Sequence, residues 1–119
     1  MKIIINHSYR SGTLNKYITK ERTNKYIAAK MKKEETQWSE WETKYKHHKL
    51  KYPLIMTYTW HIKDKRIDPS NWAFCVKYIE DGMVRSGFLP NDGYDEIAEI
   101  RHKYVIDDEE YVQVELLEV

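Results

Sequence analysis

Two aspartates stand where chemistry could be arranged. Asp68 ends the basic stretch Lys63-Asp64-Lys65-Arg66-Ile67 and precedes Pro69, the pattern of a helix N-cap followed by proline at the first helical position. Asp92 lies in Asn91-Asp92-Gly93, a turn sequence. Two such carboxylates, converging from element ends, can hold Mg²⁺, a hard cation that takes octahedral oxygen ligands and keeps several waters. Next to a basic surface, that pair would equip the chain for metal-assisted phosphodiester hydrolysis. Taken singly, each aspartate also reads as an ordinary cap or turn residue. Asp81 shares a polar helix face with Ser70, Phe74 and Lys77. It lies 13 positions beyond Asp68, roughly 20 Å along a straight helix, which places it outside a metal site built on Asp68 and gives it a role in orienting that face.

The other candidate ligands are weak. His47 and His48 are adjacent and point apart on a helix, while His7, His61 and His102 are isolated. Cys75 is the single cysteine, which excludes a disulfide framework and a cysteine-rich zinc site, and its apolar helix position assigns it to the core. No P-loop, dinucleotide-binding glycine pattern or nucleophile elbow is present.

The elements that must carry these residues follow from periodicity. An Ile run predicts a short buried strand over 1–6, and residues 7–24 read as a polar, basic loop and the start of a helix. Over 24–46, Ile27, Met31, Trp38, Trp41 and Tyr45 fall at helical spacing, which predicts a long amphipathic helix with those residues on one face. A β-branched and aromatic run predicts a strand over 53–62. Trp72, Cys75, Val76, Ile79 and Met83 predict a second helix from Asp68 to Arg85, closed by Gly87. Strands are expected over 96–106 and 110–118. The order β-α-β-α-β-β predicts one α+β domain over 1–119, a mixed sheet carrying two helices.

Composition narrows the class. Hydrophobic residues make up 41% of the chain and charged residues 33%, yet 10 Tyr, 4 Trp and 2 Phe suffice for a core, so wholesale disorder is excluded. The apolar stock is thin for a monomer, which favours a homodimer. No apolar run approaches a membrane span, and three consecutive isoleucines after Lys2 are too few for a secretory signal, so a cytoplasmic domain without a membrane partner is expected. The net charge of +1 conceals a split: residues 1–66 carry 16 Lys/Arg against 6 Asp/Glu, and residues 67–119 carry 4 against 13. A basic lobe for a polyanion is one reading, and mutual neutralisation of the halves is the other.

Several segments in order resemble the RusA family of Holliday junction resolvases, in the short form found in phages and prophages of Gram-positive bacteria. They are Leu14-Asn15-Lys16-Tyr17-Ile18, Arg22, Asn24-Lys25-Tyr26 and Ala29-Lys30-Met31-Lys32 in the basic segment, then Arg66-Ile67-Asp68-Pro69-Ser70-Asn71. Lys77-Tyr78-Ile79-Glu80-Asp81-Gly82, Gly87 and Asn91-Asp92-Gly93 follow. The resemblance implies a homodimeric, Mg²⁺-dependent endonuclease, with Mn²⁺ as a substitute, that nicks paired strands of four-way or branched DNA during recombination or replication. It implies Asp68 and Asp92 as catalytic metal ligands, Ser70 and Asn91 as supplementary oxygens, and Lys77 as the residue that neutralises the phosphate. DNA contacts are then expected from Arg10, Lys16, Arg22, Lys25, Lys30, Lys32, Lys33 and Arg66. Ser70 and Asn91 stand where the family has aspartates, so a catalytically degenerate branched-DNA-binding module is the alternative.

Overall fold

The computed structural model describes all 119 residues. Strand β1 (Lys2–Ile5) leads through a 3₁₀ turn (Tyr9–Gly12) into α1 (Leu14–Thr23) and α2 (Lys25–Thr43). Strand β2 (Leu54–Ile62), α3 (Pro69–Ala73), α4 (Val76–Arg85), β3 (Ile97–Ile106) and β4 (Tyr111–Glu118) follow. The four strands form one mixed sheet in the order β1-β4-β2-β3. β2 is antiparallel to β4 and parallel to β3, and β1 is antiparallel to β4. This is the expected α+β domain with a mixed sheet.

The period of two decides which sheet face is dry. Ile3, Ile5, Leu54, Met56, Tyr58, Trp60, Val112, Val114 and Leu116 are buried beneath the helices. Lys2, Ile4, Thr59, His61, Gln113 and Glu115 alternate with them on the more open face. Aromatic rings knit the covered side together: Tyr9 stands edge-on to Trp60 with centroids 6.2 Å apart, and Tyr78 donates from Oη to the Gly12 carbonyl at 2.8 Å.

Three features differ from the sequence-based expectation. Residues 14–23 form a full helix, and Asn24 separates it from α2. Its backbone is extended, and its side chain caps α2 by accepting from the Tyr26 and Ile27 amides at 2.9 and 3.4 Å.

The packed face of α2 is also not the aromatic one. Ala28, Met31, Glu35, Thr36, Ser39 and Thr43 are buried, whereas Ile27, Trp38, Trp41 and Tyr45 are exposed. The reason is a close crossing with α4. A Cβ at Gly82 would lie 1.9 Å from Ser39 Oγ and 2.5 Å from the Thr36 carbonyl oxygen, so only small side chains fit between the axes. Their hydroxyls are satisfied internally: Ser39 Oγ donates to the Ile79 carbonyl at 2.9 Å, and Thr43 Oγ1 to the Ser39 carbonyl at 2.7 Å.

The second predicted helix, finally, is two. Between α3 and α4 the backbone tightens to three-residue hydrogen bonds, from Cys75, Lys77 and Tyr78 amides to the Trp72, Phe74 and Cys75 carbonyls. Cys75 is buried at this junction, a core residue as expected, and burial pushes its thiol pKa up. Gly87 ends α4 with φ 82°, the left-handed conformation that favours glycine. No helix is long and apolar enough to cross a membrane.

Candidate functional site

Lys77 lies in the first turn of α4 with Asp81 one turn further on. Its ammonium contacts Asp81 Oδ1 at 3.0 Å and Asp92 Oδ2 at 3.2 Å. The bond to Asp81, ahead of that to Asp92, raises the lysine's pKa and keeps it charged. Asp92 is held there by its own turn: Asn91 Oδ1 accepts the Asp92 amide at 2.9 Å, and Glu96 Oε1 accepts the Gly93 amide at 3.2 Å. One ammonium thus bridges two carboxylates from different elements.

Behind this pair stands Glu80, only 5% exposed and accepting from Tyr58 Oη at 2.8 Å. Burial pushes its carboxyl up to about 7, with Asp92 and Asp81 adding to the push and Tyr58 and Lys77 opposing it. Sequence reasoning missed Glu80, although a signal existed. It falls on the apolar stripe Val76, Ile79 and Met83, where a carboxylate is out of place.

Asp81 and Asp92 open onto a groove of about 450 Å³ between α2 and α4, lined as well by Ala29, Lys32, Lys33, Thr36, Val84 and Arg85. Arg85 is paired with Glu40 at 3.3 Å, whereas Lys32 and Lys33 have no carboxylate partner. An anion entering the groove would meet two free ammonium groups on α2 and the Lys77–Asp81–Asp92 cluster opposite.

Asp68 and Asp92 are tied to opposite ends of β3. Asp68 takes the N-cap position of α3, its carbonyl accepting the Asn71 and Trp72 amides, but its side chain makes no capping bond and is exposed. The adjoining Pro69 carbonyl accepts from Tyr104 Oη at 2.9 Å, near the far end of β3. Gly93, beside Asp92, accepts the Ile97 amide at the start of that strand. Those two anchors are seven residues apart, roughly 23 Å along β3. Ser70 stays beside Asp68 on α3, exposed, and Asn91 spends its side-chain oxygen on the turn. One straight helix from Asp68 would carry Asp81 away from that residue; the neighbour of Asp81 is instead Asp92, brought to it by the turn after α4.

No cluster of three or more His, Cys, Asp or Glu side chains suited to a metal is present. The acidic pair still fits a hard divalent cation, because Mg²⁺ commonly takes one or two carboxylates and fills its remaining positions with water and phosphate oxygens. Asp81 and Asp92 are the residues that would hold it, since a single positive group already reaches both. Four of the five histidines are engaged elsewhere: His7 with Glu35 at 2.6 Å, His61 with Asp107 at 2.9 Å, His102 as acceptor of the Trp60 indole at 2.9 Å, and His48 as acceptor of the Leu50 amide at 3.1 Å.

Among the expected DNA contacts, Lys16 and Arg22 on α1 and Lys25, Lys30, Lys32 and Lys33 on α2 are exposed and free of ion pairs. Arg66 is exposed in the loop after β2. Arg10, unlike these, is ion-paired. Its guanidinium forks onto Glu110, reaches Asp64 at 3.4 Å and lies over the Trp72 ring at 5.4 Å, so it braces the loops around β2 and β4. Partial burial raises the Glu110 carboxyl, but Arg10, the Lys63 amide and the Ser8 hydroxyl outweigh it and hold the pKa at about 2. Comparison with known protein families and with curated proteins finds no match for this chain.

Proposed function

We propose that this chain is a branched-DNA-binding, divalent-cation-dependent endonuclease of the kind that its resemblance to the RusA family implies, acting as a homodimer with its reaction centre at Asp81, Asp92 and Lys77. The observation that carries the reading is the Lys77 ammonium held between Asp81 and Asp92 at the edge of a groove whose other wall presents Lys32 and Lys33. Lysines on α1 and α2 would position the phosphate backbone, a contact that confers salt-dependent affinity. When bound by Asp81 and Asp92, the cation would polarise the phosphate and lower the pKa of an attacking water. Lys77, displaced from the carboxylates, would turn its charge to the phosphate. A homodimer supplies the two symmetric sites that paired nicks require.

A binding-only reading rests on the same contact, because Lys77 already neutralises the two carboxylates and lowers their attraction for a metal. Incubating the purified protein with a synthetic four-way junction, with and without Mg²⁺ or Mn²⁺, separates the two. Metal-dependent paired nicks support the endonuclease, and salt-sensitive binding without nicks supports the module. Absence of binding at low salt rejects both.

A further inference from the structure

β3 is the longest strand of the sheet and lies at its edge, ten residues of which only Ile97 is buried. The Asp107 amide donates inward to the Ile62 carbonyl at 2.9 Å, which fixes the parity of the strand. Odd-numbered residues from 99 onward turn their backbone groups to β2, and Ile100, His102, Tyr104 and Ile106 turn theirs to the open edge. No proline interrupts residues 97–106, and no further strand pairs with that edge.

Edges that avoid pairing carry proline or charges that would repel a second strand. Here the charges are self-complementary. Glu99 and Arg101 share one face and already form a two-bond fork within the strand, at 2.8 and 3.1 Å. An antiparallel copy of β3 centred on Ile100 sets Glu99 of each chain opposite Arg101 of the other, twice by symmetry. Ile100, 43% exposed, then packs on its own symmetry mate through outward-facing backbone groups.

We propose that β3 is the homodimer surface, pairing antiparallel across a twofold axis at Ile100 to make one continuous eight-stranded sheet. The inference rests on the homodimer called for by the proposed function and names the surface that forms it.

Charge reversal tests both the surface and its register by sedimentation equilibrium without DNA or metal. Glu99→Arg alone and Arg101→Glu alone each place like charges opposite one another, and each should weaken self-association by more than about 30-fold. An equimolar mixture of the two variants restores both attractive pairs and should dimerise as tightly as the wild type. Both positions are exposed, and recovery in the mixture itself shows that the variants are folded. A wild type that stays monomeric at a hundred micromolar overturns the proposal. So do single variants that dimerise normally, or a mixture no better than its components. Normal dimerisation by the single variants overturns this surface alone, whereas a monomeric wild type also removes the homodimer that the endonuclease reading requires.

Discussion

Glu80 occupies a position where an apolar side chain would pack, and its cost depends on pH. Its unfolded carboxyl ionises near 4.5, while the folded one keeps its proton to about 7. The folded state therefore binds more protons across that window, and stability falls as pH rises through it. Glu80→Gln keeps an oxygen for Tyr58 Oη and removes the titration. Thermal unfolding of the variant should match the wild type near pH 4.5 and exceed it by ~3 kcal/mol at pH 8; a pH-independent difference would contradict the burial argument. Residue types showed which chemistry was available, with Asp92 and Lys77 both readable from their motifs. Their meeting with Asp81 was not readable, since it depends on where the turn at Asn91-Asp92-Gly93 folds back against α4. The ion pair of Arg10 was not readable for a similar reason. Its partner Glu110 lies 100 residues away, and nothing local marks the pair.

Strands were legible because alternation survives any tertiary context: Val112, Val114 and Leu116 face inward as their spacing predicts. The face of α2 was not legible. Hydropathy favours Trp38 and Trp41, but the crossing with α4 selects for volume, and Ala28, Thr36 and Ser39 fit where indoles cannot. The break between α3 and α4 escaped notice because residues 74–76 contain neither glycine nor proline. The α2–α4 crossing makes a direct prediction. Gly82→Ala forces Ser39 and the Thr36 backbone aside and should cost about 3 kcal/mol, lowering the melting temperature by roughly 10 °C. Gly87→Ala meets no neighbouring atom and pays only for its φ of 82°, so it should cost about 1 kcal/mol. Equal losses at the two positions would show that the helices are not in close contact.

Across the whole molecule, the charge split has a spatial meaning. Free lysines and Arg22 cover α1 and α2, while the acidic half supplies Asp81, Asp92 and the ion-pair partner of Arg10. Reversing Arg22→Glu with Lys25→Glu should weaken binding to junction and duplex DNA alike and flatten the salt dependence of both. Unchanged affinity would move the DNA surface off these helices. In the proposed endonuclease, the reaction centre joins Asp92 to Asp81 and excludes Asp68. The most direct test is the Mg²⁺-dependent nicking rate of Asp68→Asn, Asp81→Asn and Asp92→Asn on a four-way junction, measured side by side with the wild type. Asp81→Asn and Asp92→Asn should each lose cleavage by about 100-fold or more while still binding DNA, and Asp68→Asn should cut at the wild-type rate. Loss of cleavage in Asp68→Asn with normal cutting by Asp81→Asn would contradict the account.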